Sequence, residues 1–84
     1  MLTLTPNELA RAIESLGFYV HVCAQPTKVL ASINVRTVET PDYLYVLFPP
    51  KTQAQVLIRT GKKGSREKVR LYWNGSELTT ETVE

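Results

Sequence analysis

Residues 51–70 carry the clearest chemical signal in this sequence, an excess of positive charge. Seven lysines and arginines lie there against Glu67 alone, so the local net charge is +6. They are Lys51, Arg59, Lys62, Lys63, Arg66, Lys68 and Arg70. Guanidinium and ammonium groups bind carboxylates and phosphates. We therefore expect the six that follow Lys51 to contact an anionic partner.

The tyrosines form a second group of candidate contact residues. Side chains alternate along a strand, so each predicted strand can be divided into two faces. One face is aliphatic in every strand, and the other holds all four tyrosines, Tyr19, Tyr43, Tyr45 and Tyr72. A tyrosine offers flat apolar area with a polar tip, so we expect the last three to line the binding surface. The alternative is a solvated face where tyrosines occur because they favour strands.

His21 and Cys23 are the residue types that could support thiolate chemistry. They are two residues apart on a predicted strand, hence roughly 6.5–7 Å apart on one face, too far for direct contact. The chain has no cluster of Cys and His with zinc spacing, and residues 60–67 lack the Gly-x4-Gly-Lys-Ser/Thr spacing of a nucleotide-phosphate loop. We therefore expect no catalytic residues, no metal and no cofactor, and a protein that is not an enzyme.

A helix over about residues 6–16 comes first among the elements that must position these groups. Thr5-Pro6-Asn7-Glu8 has the pattern of a capping box with proline at the first helical position. Gly17 is placed to end the helix in the left-handed conformation. Apolar residues recur at helical spacing and form one stripe: Leu9, Ala12, Ile13 and Leu16.

The rest of the chain reads as strands at about residues 18–24, 28–36, 43–48, 53–60, 67–73 and 78–83, and Asn74-Gly75 predicts a hairpin turn. The predicted fold class is α+β: an N-terminal helix packed on a curved, mostly antiparallel sheet of five or six strands that could close into a barrel. Helix residues Leu9, Ile13 and Leu16 would cover the aliphatic face. That face comprises Phe18, Val20, Val22, Val29, Ala31, Ile33, Val35, Leu44, Val46, Phe48, Ala54, Val56, Ile58, Val69, Leu71 and Trp73.

Length and composition set the remaining limits. Residues 1–84 suffice for a single small domain, and 43% hydrophobic residues exclude a disordered chain. A core this small leaves little room for an enclosed substrate pocket, which favours a binding protein over an enzyme. A single cysteine fits a reducing compartment, and the chain has neither an apolar run that could span a membrane nor a signal-peptide pattern. We expect a cytoplasmic protein that does not contact membranes.

These observations favour a protein-binding module, an adaptor or inhibitor such as a phage or mobile element encodes. Its basic residues would hold an acidic patch on another protein. The alternative is a module for RNA or single-stranded nucleic acid, in which tyrosines stack on bases while cations follow phosphates. A net charge of only +2 is modest for a nucleic-acid binder. The tyrosine face, or an edge strand such as residues 43–48, could also pair two copies into a homodimer.

Overall fold

The described residues of this small α+β protein form one helix and seven strands. The computed structural model describes residues 4–61 and 67–83. The helix α1 spans Pro6–Glu14. The strands are β1 (Tyr19–Ala24), β2 (Thr27–Ile33), β3 (Arg36–Glu39), β4 (Tyr43–Phe48), β5 (Ala54–Thr60), β6 (Glu67–Trp73) and β7 (Leu78–Val83). The predicted α+β class is confirmed.

The strands form two antiparallel sheets, and the predicted single sheet of five or six strands is wrong. Sheet A has the strand order β1-β4-β3, and sheet B has the order β2-β5-β6-β7. As far as the described residues extend, neither sheet closes into a barrel. The chain passes from one sheet to the other after β1, again after β2, and again after β4, so several strands that follow one another in sequence are not neighbours.

Asn34 is the point at which the chain leaves sheet B for sheet A. The sequence predicted one strand over residues 28–36, but Asn34 has a φ of 58°, in the left-handed region that extended strands do not use. Its side-chain Nδ2 donates a hydrogen bond of 3.1 Å to the carbonyl oxygen of Gln53. This turn separates β2 from β3, a strand that the sequence analysis missed.

Gln25 fixes the earlier crossing, between β1 and β2. Its backbone N–H donates to the carbonyl oxygen of Asp42 at 3.0 Å. Its side-chain Nε2 donates to the carbonyl oxygen of Thr40 at 3.1 Å, and its Oε1 accepts from the backbone N–H of Thr27 at 2.8 Å. One side chain therefore joins the β1–β2 corner to the β3–β4 turn.

The larger apolar core lies between the two sheets. It combines one face of sheet A with one face of sheet B. Most of these residues were predicted on the aliphatic face, but on that of a single sheet covered by the helix. The buried residues are Cys23, Leu44, Val46, Phe48, Ala54, Val56, Ile58, Leu71 and Trp73, and Val29, Val35, Val69 and Leu78 pack against them.

The helix packs on the opposite face of sheet A, where Ile13 contacts Tyr45 and Leu47. The predicted packing on the face of Leu44, Val46 and Phe48 is therefore wrong. The reason is that β4 is the central strand of sheet A and is covered on both faces, so residues 44–48 are buried consecutively. No helix among the described residues is long and apolar enough to cross a bilayer.

The predicted start of α1 is confirmed, and its predicted end is too late. The backbone N–H of Glu8 donates to Thr5 Oγ1 at 3.2 Å, and Glu8 Oε1 accepts from the N–H of Thr5 at 3.0 Å. The helix ends at Glu14, so Leu16 lies beyond it and is 76% exposed instead of packed. Val22 was also expected in the core, but it is 39% exposed on the α1 side of β1.

A β-bulge in β2 changes which of its side chains reach the core. Val29 pairs with Ile58, but the next pair is Ala31 with Leu57, so β2 carries one extra residue. The bulge reverses the alternation beyond Val29, and side chains that follow it turn to the other face. Ala31 and Ile33 were predicted in the core, but Ala31 is exposed and Ile33 is 55% exposed.

Candidate binding surface

The outer face of sheet B, turned away from the core, carries the main concentration of candidate binding residues. We use this name for the outward side chains of β2, β5, β6 and β7, which the strand register arranges in three rows. The first row is Lys28, Arg59, Lys68 and Val83; the second is Ala31, Leu57, Arg70 and Glu81; the third is Ile33, Gln55, Tyr72 and Thr79.

The first row places three cations side by side on three neighbouring strands. Lys28 is directly opposite Arg59, and Arg59 is directly opposite Lys68. Residues in direct register have Cβ atoms about 4.5–5.5 Å apart, and like charges at that distance are destabilising. Both lysines are exposed, and Arg59 is half-buried. An anion lying across this row would relieve the repulsion.

Arg70 and Tyr72 are neighbours on the same face of β6. Arg70 Nη1 donates a hydrogen bond of 3.2 Å to the Tyr72 hydroxyl, and the guanidinium carbon lies 5.9 Å from the centre of the Tyr72 ring. This hydrogen bond raises the pKa of Arg70. The two side chains hold each other in place, so a partner would meet an oriented guanidinium group.

A depression with a mixed apolar and polar lining lies beside these charged groups. It has a volume of about 290 Å³ and is lined by Ala31, Ser32, Ile33, Gln55, Leu57 and Arg70. A second depression of about 480 Å³ shares Ile33 and Gln55 with it and extends to Tyr72. The side chain of Ile33, at 55% exposed, is the largest accessible apolar group there.

Four of the predicted binding residues, Arg59, Lys68, Arg70 and Tyr72, come together on the outer face of sheet B. Their contact with a partner stays a prediction. The predicted residues Lys62, Lys63 and Arg66 lie outside the described residues. Sequence reasoning missed Lys28 and Ile33. The alternation from Thr27 onwards could have suggested Lys28, but the bulge that exposes Ile33 has no clear signature in the sequence.

Tyr43 and Tyr45 are not part of this surface, and the expected exposure of Tyr45 is wrong. Tyr45 is 2% exposed and is buried with Ile13 and Leu47 between α1 and sheet A. Tyr43 is half-buried at the border of the same cluster, with ring centres 6.4 Å apart between the two tyrosines. The cause is the position of α1, which covers the tyrosine face of β4.

His21 and Cys23 lie on β1 in register with Val46 and Leu44, on the face that looks toward sheet B. Burial raises the pKa of the Cys23 thiol and lowers the pKa of the His21 imidazole. Both shifts favour the neutral forms, whereas a reactive cysteine needs its thiolate. Among residues 4–61 and 67–83, no group of three His, Cys, Asp or Glu side chains is arranged to hold a metal ion.

No family model, curated protein or solved structure matches this chain.

Proposed function

We propose that this protein is a non-catalytic binding module, an adaptor or inhibitor, that holds an acidic segment of another protein on the outer face of sheet B. One observation carries the proposal: the row of Lys28, Arg59 and Lys68 lies beside a depression on the same face, whose lining includes the apolar side chains of Ala31, Ile33 and Leu57. Carboxylates would lie along the row, and an apolar side chain of the partner would enter the depression.

The composition of the face supports a protein partner. Protein interfaces combine an apolar centre with arginine and aromatic side chains and a polar border. Here Leu57 and Arg70 lie at the centre, on the two inner strands and in the middle row. Tyr72 lies next to them, and Ile33 and Lys28 lie toward the border, on edge strand β2. The repulsion within the cationic row makes the acceptance of carboxylates more favourable, because the partner's charge replaces an unfavourable contact with a favourable one.

Single-stranded nucleic acid is the second candidate, and the same cationic row favours it, since three neighbouring cations would also contact phosphates. Proteins of that kind usually stack successive bases on several aromatic side chains. The described part of this face has Tyr72 as its aromatic residue, because Tyr43 and Tyr45 are covered by α1. We therefore rank the protein partner first.

A pair of charge-reversal variants tests the proposal. The double variant Arg59→Glu/Lys68→Glu reverses two charges in the cationic row. The control Arg11→Glu/Arg36→Glu reverses two exposed charges on α1 and sheet A, so both proteins have the same net charge. The probes are a fluorescent peptide of alternating Glu and Leu residues, its Gln counterpart, and a labelled single-stranded oligonucleotide. Fluorescence anisotropy at low and rising salt concentration gives each dissociation constant.

We expect the wild type and the control to bind the Glu peptide with similar affinity, and the cationic-row variant to bind at least about tenfold more weakly, a loss of about 1.4 kcal/mol. Equal weakening in both double variants, or no binding of the wild type to the peptide at low salt, would contradict the proposal. Tighter binding of the oligonucleotide than of the peptide, with steep salt dependence, would select the nucleic-acid candidate instead.

A further inference from the structure

The edge strands of the two sheets differ in how they are protected against pairing with another chain. Charged residues, bulges and short length are the usual protections. In sheet B, β2 has the bulge after Val29 and β7 carries Glu81 at its centre. In sheet A, β3 is only four residues long and includes Arg36 and Glu39.

Strand β1 has none of these protections within its own residues, and α1 contacts it on one face. Its six residues, Tyr19–Ala24, include no charged residue at neutral pH and no proline. Its register with β4 runs without a shift from Tyr19 opposite Phe48 to Ala24 opposite Tyr43. It is an edge strand of sheet A, since β4 is its neighbour in that sheet. A regular, uncharged edge of this kind is a template for a further strand.

The backbone hydrogen bonds show which groups of β1 are available. The N–H of Gln25 donates to the carbonyl oxygen of Asp42, one residue beyond the last pair of the β1–β4 ladder. Hydrogen-bonding direction alternates along an antiparallel strand. Residues 19, 21 and 23 therefore bond to β4, whereas Val20, Val22 and Ala24 direct their N–H and C=O groups away from it.

The side chain of Val22 marks the centre of this edge, which has no second neighbouring strand among residues 4–61 and 67–83. It is 39% exposed on the α1 side of sheet A, directly opposite Tyr45. Val38 of β3 is opposite Tyr45 from the other side and is 37% exposed. Val22, Tyr45 and Val38 thus form one row across sheet A. The row ends at the edge of the sheet with the apolar side chain of Val22.

We propose that β1 pairs with β1 of a second copy of this chain, antiparallel, about a two-fold axis at Val22. Val22 then faces its own counterpart, and Val20 faces Ala24 of the other copy, so all three residues with outward backbone groups are paired on both copies. The two three-stranded sheets A become one six-stranded sheet, and the apolar row continues through both valines. A charged residue at the centre of β1 would oppose its own copy, which explains why an uncharged β1 suits this arrangement.

The pairing leaves the outer face of sheet B free, because β1 belongs to the other sheet. It replaces the homodimer contact expected from residues 43–48, which is wrong because β4 is already paired on both sides. A dimer of this kind would present two outer faces of sheet B, and a partner with two acidic segments would bind with higher avidity.

Two matched variants test the pairing. Val22→Lys places a charge at the two-fold axis, whereas Val38→Lys makes the same change at a valine of similar exposure, opposite the same tyrosine, on β3. Sedimentation equilibrium over a range of concentrations gives the molar mass. We expect the wild type and Val38→Lys to approach twice the monomer mass of 9.5 kDa. Val22→Lys should stay at the monomer mass, with circular dichroism showing that both variants are folded.

Amide hydrogen exchange of the wild type gives a test without a substitution. The amides of Val20, Val22 and Ala24 should exchange rapidly in dilute protein and become protected as concentration rises, whereas those of His21 and Cys23 should be protected throughout. A wild type that stays monomeric at the highest attainable concentration would overturn the proposal. So would a dimer in which these three amides exchange freely, or one that Val38→Lys disrupts and Val22→Lys does not.

Discussion

At the scale of single residues, Tyr45 and Tyr72 show how differently one side chain can act in this molecule. Tyr45 is 2% exposed and fills the space between α1 and sheet A, where it contacts Ile13 and Leu47. Tyr72 is 39% exposed and holds the guanidinium group of Arg70 on the outer face of sheet B. The first should contribute to stability, and the second to binding.

Replacing each tyrosine with alanine should separate these roles. Tyr45→Ala should lower the free energy of unfolding by about 3–5 kcal/mol, because it leaves a large cavity in a packed cluster. Tyr72→Ala should change it by no more than about 0.5 kcal/mol, as is usual for exposed positions, yet weaken binding of the Glu-Leu peptide several-fold. Urea denaturation gives the free energies. Similar losses of stability in the two variants would contradict this assignment.

The sequence predicts residue environments well where alternation is unbroken and less well elsewhere. The inward positions of Val56, Ile58 and Leu71 follow from period-two alternation, and the structure confirms them. The outward turn of Ile33 depends on a bulge, a backbone feature that alternation does not record. The burial of Tyr45 depends on where α1 docks, which is a tertiary choice between two apolar faces of β4.

At the scale of elements, the β6–β7 hairpin is fixed both by its own turn and by the segment between β4 and β5. Asn74 Oδ1 accepts hydrogen bonds from the backbone N–H groups of Ser76 and Glu77, both at 2.8 Å. Gly75 has a φ of 102°, and its carbonyl oxygen accepts from the N–H of Lys51 at 3.1 Å. A Cβ at Gly75 would lie 3.0 Å from the backbone of Lys51.

Alanine substitutions at Gly75 and Gly17 should therefore lower the free energy of unfolding by different amounts. Gly17 has a similar φ of 103°, but a Cβ there would meet no atom within 4 Å, so Gly17→Ala measures the backbone strain alone, about 1 kcal/mol. Gly75→Ala adds the clash with Lys51, and we expect a total of about 2–3 kcal/mol. Thermal or urea denaturation shows which of the two variants is less stable. A Gly17→Ala variant that is as unstable as Gly75→Ala would show that the clash is relieved.

Local signals predict the elements that begin or end with them. The capping box at Thr5 predicted the start of α1, and Asn74-Gly75 predicted the last hairpin, both confirmed by the structure. The crossing at Asn34 was not predictable in the same way. Its left-handed conformation is compatible with asparagine but is not required by it, and the residues on both sides favour an extended chain.

At the scale of the whole molecule, His21 should make stability depend on pH. Burial lowers the pKa of His21 from its ordinary value of 6.5, so the unfolded chain takes up a proton at a higher pH than the folded protein does. The free energy of unfolding should therefore fall as the pH drops below about 6.5, until the pH passes the lowered pKa of the folded state. Well above pH 6.5, His21 is neutral in both the folded and the unfolded state, and it no longer lowers the free energy of unfolding.

Urea denaturation of the wild type and of His21→Gln between pH 7.5 and pH 5 measures this dependence. Since His21 is the one histidine in the sequence, the variant should show a flatter profile over this range. A slope that persists unchanged in His21→Gln would assign the pH dependence to other groups.

The distribution of strands between the sheets has a consequence for how the chain can be divided. Strand β2 belongs to sheet B but is encoded between β1 and β3 of sheet A, and its neighbour β5 comes more than twenty residues later. A fragment that ends after β4 would contain every strand of sheet A and yet leave β2 without its pairing partner. Neither sheet is thus a contiguous folding unit, and the order of synthesis from the ribosome delays completion of the fold until the second half of the chain has emerged.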